Sequence, residues 1–475
     1  MKLLSIKIKN FRSIEDLSLD VSPLDDGTFT YGLIGINESG KTSILKALAI
    51  KEGMIVPTSK DFKDKSKDIE ILFFYQLNNA DIASFGDLMD IQNTVPDSSL
   101  SISDILGHVV TLSVSFSVVN PTVPVQKIIF ANRNTDVTAE TVSLKEKLTS
   151  FILNEVHRSI FWTAEDKFLI SHPIPLDEFA AAPEQTSVPL KNCFSLAGIT
   201  NIQESITNIR CDSTEIEHLQ KILGESVTAH IKTIWPDNPV TITFLISDGA
   251  IHFHIKDVDT LSKAKTADQR SDGFKQFVSF LLTVSAQDKN EELSNTILLL
   301  DEPESHLHPQ AQEHLLVELI KLTKNNRNNF VFFATHSNYM IDKKDLSRNF
   351  RIIKSHDSTT TEQLAKQYST YASVTYNVFN IPSSDYHEEL YARLHQNFQN
   401  DAPNHKNREF VKTFDEEYLQ RIKNLPNNRP WKQYPNSATL PTHIYNCIHN
   451  PNNNETFSTK ELRESIDCLL SFLNT

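Results

Sequence analysis

Residues Tyr31-Gly32-Leu33-Ile34-Gly35-Ile36-Asn37-Glu38-Ser39-Gly40-Lys41-Thr42 form an apolar strand running into a complete G-x-x-x-x-G-K-[ST] loop. This order of residue types suits a nucleoside triphosphate. Backbone N–H groups of such a loop point inward at phosphate oxygens, Lys41 would reach the β- and γ-phosphates, and the Thr42 hydroxyl would ligate Mg²⁺. The helix predicted over 42–50 adds its positive end. Asn37, Glu38, Ser39, Gly40, Lys41, Thr42 and Ser43 are therefore candidate nucleotide-binding residues. With only 11 glycines in 475 residues, the spacing is not a by-product of a glycine-rich chain.

A second chemical cluster lies far downstream. Thr296 to Leu300 is a fully apolar run ending in Asp301-Glu302, which reads as a buried parallel strand delivering two carboxylates at its C-terminal edge. In that place Asp301 holds Mg²⁺ through water and Glu302 orients or deprotonates the attacking water. A further apolar strand, Phe330 to Ala334, ends in Thr335-His336-Ser337, and a histidine at such a mouth suits a γ-phosphate contact; a core or capping role is the plainer reading of His336. Between them, Arg270-Ser271-Asp272-Gly273-Phe274 opens an apolar helix. Ser271 and Gly273 there bind phosphate through side chain and backbone, or simply cap the helix.

Together, FRSI at Phe11 to Ile14, GINESGKTS at Gly35 to Ser43, RSDGF at Arg270 to Phe274, LLLDEPESHLHP at Leu298 to Pro309 and ATHS at Ala334 to Ser337 resemble the ABC-type ATPase head of the SMC, RecF and OLD-like families. The resemblance implies an α/β P-loop NTPase fold in two lobes, with ATP and Mg²⁺ as cofactors. It implies that Ser271 and Gly273 form the signature motif, that Glu302 is the catalytic glutamate, that Ser305 to Pro309 form the D-loop and that His336 is the switch histidine. ATP would lie between two heads, so a homo-oligomer, at least a dimer, is expected. Arg12 resembles an arginine that approaches the nucleotide, with a surface salt bridge as the alternative. For the Q-loop ligand of the metal, the sequence offers Gln76, closing a strand over 69–75, and Asp61. The signature departs from the LSGGQ-like pattern of transporters, which fits the non-transporter branch.

These residues need four regions to position them. We expect an ATPase N-lobe over 1–77, an insertion or helical arm over 78–238, an ATPase C-lobe over 239–354 and a mostly helical domain over 355–475. The insertion shows β segments at 109–119 and 125–131 and helices at 143–157 and 213–234, without the heptads of a long coiled coil. Asp248-Gly249 marks a hairpin within 239–257. In the tail, 386–399 reads as a polar amphipathic helix, and Ser458-Thr459-Lys460-Glu461 is a capping box for a helix reaching Leu473.

The chain holds 46 Lys and Arg against 60 Asp and Glu, a net charge of −14, which argues against coating nucleic acid through bulk charge. Cys193, Cys211, Cys447 and Cys468 form no C-x-x-C pair and fit a reducing cytoplasm. The start alternates apolar and basic residues as a strand does, the longest apolar run is too short for a bilayer, and a cytoplasmic protein is expected.

The tail sharpens the resemblance. The segments 381–396 and 440–451, behind an OLD-like head, resemble PtuA, the ATPase family of Septu-type antiphage defence systems, including those attached to retrons. That implies a companion HNH nuclease, PtuB-like, and in retron systems a reverse transcriptase with its msDNA. Leu440 to Pro451 also resembles the R-N-x-x-H helix of HEPN-like ribonucleases, but Tyr445 stands where the arginine would be and removes the charge that would stabilise a phosphodiester transition state. The competing expectations are a RecF- or SMC-like DNA repair ATPase and a self-contained RNase toxin.

Overall fold

The structure is a computed structural model that describes residues 1–53, 55–81, 83–84, 109–130, 139–170, 172–211, 213–234, 240–257, 265–266, 275, 278–279, 282, 294–305, 307–324, 328–365, 369–401, 414–422, 439–450 and 456–473. It divides into two units, Met1–Lys366 and Gln367–Thr475.

The first unit carries three sheets, and a helix lies between the two larger ones. β1 (Lys2–Phe11), β2 (Ile14–Asp20), β4 (Ile69–Gln76), β5 (Val109–Phe116) and β6 (Val125–Phe130) form an antiparallel sheet in the order β2-β1-β4-β5-β6. A second sheet has the order β15-β14-β3-β13-β12-β7, from β3 (Thr30–Ile34), β7 (Arg158–Trp162), β12 (Thr296–Asp301), β13 (Phe330–Thr335), β14 (Asn349–Ser355) and β15 (Ser358–Gln363). Its pairings are parallel except for β14 with β15. Both faces are covered, which is why β12 reads as an unbroken apolar run. Ile297 and Leu299 join the core that holds α1 (Lys41–Ala49), whereas Leu298 and Leu300 face the opposite core with Leu315, Leu316 and Leu319 of α4 (Pro309–Lys321).

Two expected boundaries are corrected. Residues 78–238 are not one insertion: β5 pairs with β4 along its whole length and β7 pairs with β12, while α2 (Ala139–Glu155) buries Leu148 and Ile152 in the main core. An edge strand with free backbone groups gains a ladder by accepting a neighbour from a distant segment, which a linear reading cannot see. The first unit also runs past residue 354, because β15 folds back on β14.

The hairpin falls where Asp248-Gly249 marks it: β9 (Val240–Ser247) and β10 (Ala250–Asp257) pair in register, with Asp248 at φ 52° and Gly249 at φ 75°. It does not join the parallel sheet; β10 pairs with the short strands β8 (Ile174–Pro175) and β11 (Lys265–Thr266). Ile242, Phe244, Ile251, Phe253 and Ile255 pack instead with Leu223, Val227 and Ile231 of α3 (Ser213–Ile234), and with Val278 and Leu282.

The described elements of the second unit are helices: α5 (Tyr371–Asn377), α6 (Ser384–Asp401), a π-helical turn at Phe414–Ile422, α7 (Leu440–His449) and α8 (Thr459–Leu473). Ser458 and Glu461 make the reciprocal capping contacts at the start of α8, Glu461 N–H to Ser458 Oγ at 3.2 Å and Ser458 N–H to Glu461 Oε2 at 2.8 Å. Among the described residues no helix is long and apolar enough to cross a membrane.

Candidate functional site

The parallel sheet brings the distant motifs to one edge. Ile34 at the end of β3 lies opposite Thr335 at the end of β13, and Asp301 at the end of β12 lies opposite Ala334. The loop after β3 therefore opens beside the Asp301-Glu302 carboxylates and His336, at the C-terminal edge where open α/β sheets bind ligands.

The loop itself needs its glycines. Gly40 sits at φ 109°, and a Cβ there would stand 2.6 Å from Thr359 Oγ1; one on Gly35 would stand 2.6 Å from the Ile352 carbonyl. Gly40 is the N-cap of α1, and no side chain caps the helix, so its first N–H groups face the loop opening. Lys41 Nζ donates to the Gly35 and Ile36 carbonyls at 2.9 Å each. Burial lowers the Lys41 pKa, against the raising pull of Glu302, Asp301 and Glu304. Ser39 Oγ is buried without a hydrogen-bond partner, while Asn37 and Glu38 are exposed at the loop tip. An orphaned hydroxyl, inward helix N–H groups and a lysine spanning the loop mouth fit a phosphate chain.

Thr42 Oγ1 donates to Asp301 Oδ1 at 2.9 Å, so the two expected Mg²⁺ partners meet although 259 positions separate them. Burial raises the Asp301 pKa and Glu302 adds to it; the Thr42 bond and the Lys46 and Lys41 charges oppose. Bound Mg²⁺ would neutralise phosphate charge here, with Thr42 and Asp301 holding it. Glu302 leaves the strand at φ 50°, its N–H returning to the Ala334 carbonyl at 3.0 Å. This backbone reversal turns its side chain to His336, whose Nδ1 lies 3.2 Å from Glu302 Oε1. A carboxylate beside an imidazole, next to a phosphate loop, can orient and deprotonate a water.

The remaining expected residues fall as follows. Arg12 forms a salt bridge, Nε to Asp61 Oδ1 at 2.7 Å. Burial alone would raise Asp61, but Thr58 and Arg12 outweigh it and hold the carboxyl below the usual range. Gln76 is not brought to the site. It pairs with Lys2 at the start of β1, beside Met1, whose carbonyl accepts from Asn328 just before β13 begins, so it lies at the opposite end of the sheets from Thr42 and Asp301. Ser43 follows Thr42 in the first turn of α1. Ser271 and Gly273 lie outside the described residues.

Three contributors escaped the linear reading. β7 ends beside β12 and leads to Glu165, whose Oε1 is 3.9 Å from Lys46 Nζ; its five-residue run was too short to stand out. Thr359 is buried behind the loop, contacting Ser13 Oγ at 2.8 Å and donating to the Ser39 carbonyl at 3.2 Å, and a threonine in a hairpin carries no signal of that kind. Glu304 is 2% exposed and is held by the Thr335 hydroxyl. Its place inside the DEPES segment was the available signal.

Residues 140–342 match a family described as "AAA domain, putative AbiEii toxin, Type IV TA system", and residues 1–83 match one described as "AAA ATPase domain". An uncharacterised protein of Methanocaldococcus jannaschii, MJECL43, is 29% identical over 123 residues, 25% of this chain and 31% of that protein. The Old nuclease of Escherichia phage P2 is 24% identical over 114 residues, 23% of this chain and 19% of that protein. The matches thus span less than a third of either relative. Among solved structures, an SmcHead bound to the C-winged helix domain of ScpA aligns with a TM-score of 0.41 and 12% identity, over 77% of this chain and 98% of that one, a level that adds nothing to what the strand ends show. The two matched stretches meet at one phosphate loop and one pair of strand ends, so over residues 1–83 and 140–342 the chain is similar to AAA-type ATPase domains.

Proposed function

We propose that this chain is an ATP-hydrolysing switch that closes head to head with a second copy and passes its nucleotide state to a partner nuclease. The observation that carries this reading is the open side of the site. The Glu302 and His336 side chains are 39% and 49% exposed, whereas Lys41 behind them is 5% exposed. Preorganised groups act on a phosphoryl transfer most strongly when water is excluded, so a second surface has to cover the pair. Ser271 and Gly273 of the other copy are the groups we assign to that surface.

In the finer reading the chain is the PtuA-type ATPase of a Septu or retron-attached antiphage complex, it controls a PtuB-like HNH nuclease, and in retron systems the reverse transcriptase and msDNA restrain it. The relatedness to a phage Old nuclease and to a toxin–antitoxin AAA domain supports this. So does the packing of α7. Tyr445 stacks on Tyr391 at 4.4 Å between ring centres and His449 pairs with Glu388 at 3.2 Å, so these side chains serve packing and favour a docking helix over an RNase site.

The test is native mass measurement with ATP, followed by co-purification with the products of adjacent genes and an ATP-dependent nuclease assay. Glu302→Gln should trap a dimer that Lys41→Ala does not form. A chain that stays monomeric in every nucleotide state would overturn the proposal.

A further inference from the structure

Behind the catalytic pair runs a closed ring of hydrogen bonds. The Thr335 hydroxyl donates to Glu304 Oε1 and accepts from the Ser337 N–H at 2.9 Å. Ser337 Oγ donates to Gln312 Oε1 at 2.5 Å, and Gln312 Nε2 returns to the Leu307 carbonyl at 2.8 Å and the Glu304 carbonyl at 3.5 Å. The ring thus ties three elements: the turn after β12, the first turns of α4 and the turn after β13.

Its members flank His336 on both sides. The His336 side chain is 49% exposed and points at Glu302, so its aim is set by the backbone that carries it, and both neighbours, Thr335 and Ser337, are fixed by the ring. Glu304 occupies a buried position where an apolar residue would cost less, with Oε2 left without a hydrogen-bond partner. An acceptor kept at that cost needs a positional reason, and the Thr335 hydroxyl supplies it. Groups acting as a catalytic pair lose efficiency with small misplacements, so a rigid support matters more for turnover than for binding.

We infer that Glu304 and Gln312 are positioning residues for hydrolysis: through Thr335 and Ser337 they hold the turn that carries His336 against Glu304 and Leu307 after β12 and keep His336 aimed at Glu302. The inference rests on the ATPase reading above. The full chain is assayed at saturating ATP as wild type, Gln312→Leu, Ser337→Ala and Ser337→Thr. A non-hydrolysable ATP analogue measures Kd and a thermal melt checks folding. The expected result is a fall in kcat of at least about tenfold for Gln312→Leu and Ser337→Ala, with KM and Kd within about twofold of wild type, and kcat retained within about threefold by Ser337→Thr, which keeps the hydroxyl. Should Gln312→Leu lose its cooperative melt, Gln312→Glu, which keeps the acceptor for Ser337 and loses the donor to Leu307, carries the same expectation. Wild-type kcat in the folded Gln312 and Ser337→Ala variants overturns the inference, as does a rise in Kd matching the loss of kcat or an equal loss in Ser337→Thr. A wild-type chain that binds ATP and never hydrolyses it overturns the ATPase reading instead, so the two failures are distinguishable.

Discussion

Gly40→Ala is the most direct probe of the loop geometry. At φ 109° an alanine is strained, which costs about 1–3 kcal/mol. Its Cβ would also stand 2.6 Å from Thr359 Oγ1, 2.9 Å from Cγ2 and 3.3 Å from Cβ, so one rotamer change cannot clear all three atoms. Thr359 itself cannot retreat freely. It is 1% exposed, its N–H is bonded to the Ser13 carbonyl at 2.9 Å, and its hydroxyl bridges Ser13 and Ser39. Moving it gives up bonds worth about 1 kcal/mol each. Together these terms come to about 3 kcal/mol, which is roughly a hundredfold in nucleotide affinity if the loop relaxes away from its phosphate-holding shape. Binding of a fluorescent ATP analogue by titration, beside a thermal melt, reads whether the cost falls on affinity or on stability. In a Thr359→Ala background the steric part should disappear and about tenfold should be recovered, while the backbone strain stays. A Gly40→Ala chain with affinity within about threefold of wild type and an unchanged melt would refute this account of the loop.

Lys41→Ala should abolish ATP binding, whereas Glu302→Gln should bind ATP and lose at least about a hundredfold in kcat, the size expected for a missing general base; equal binding defects in both would reject the division of roles. Burial raises the Glu304 pKa from an ordinary 4.5 to about 7, against the Thr335 hydroxyl and the backbone N–H groups of Glu304 and His336, with the Glu302 charge adding to it; Lys41 is the nearby cation. The folded group holds its proton more tightly than the unfolded one, so its ionisation costs stability as pH rises from about 4.5 through about 7, at most about 3 kcal/mol. Glu304→Gln should therefore gain in melting temperature relative to wild type between about pH 5 and about pH 8, and a difference that does not grow with pH rejects this. Ser458→Ala removes the cap of α8 and should cost about 1 kcal/mol in denaturant unfolding of the second unit, while the ATPase rate stays unchanged; a null effect on stability would show that Glu461 alone suffices.

Local chemistry made much of the molecule legible. The G-x-x-x-x-G-K-T loop, the apolar run into Asp301-Glu302 and the capping box at Ser458 each depend on residues a few positions apart, so periodicity and spacing identify them. The same holds for α3, whose predicted span of 213–234 coincides with the helix, and for the Asp248-Gly249 hairpin. Gln76 shows the limit. A glutamine closing a strand has a plausible local setting, but which end of a sheet it occupies depends on strand direction, and β4 runs antiparallel to β1 with Gln76 at the far edge.

The amino-acid sequence by itself determined which groups could bind and hydrolyse a triphosphate, because the loop, its lysine and its threonine are contiguous and the carboxylate pair is announced by the strand before it. Only the tertiary structure decided that Thr42 meets Asp301, that β7 joins the central sheet, that Thr359 backs the loop, and that Glu304 and Gln312 tie the turns flanking His336. The physical reason is common to all of these. Each is a pairing of backbone ladders or buried polar groups between segments far apart in the chain, and such partners are chosen by what else is buried beside them, not by the residues next to them in sequence.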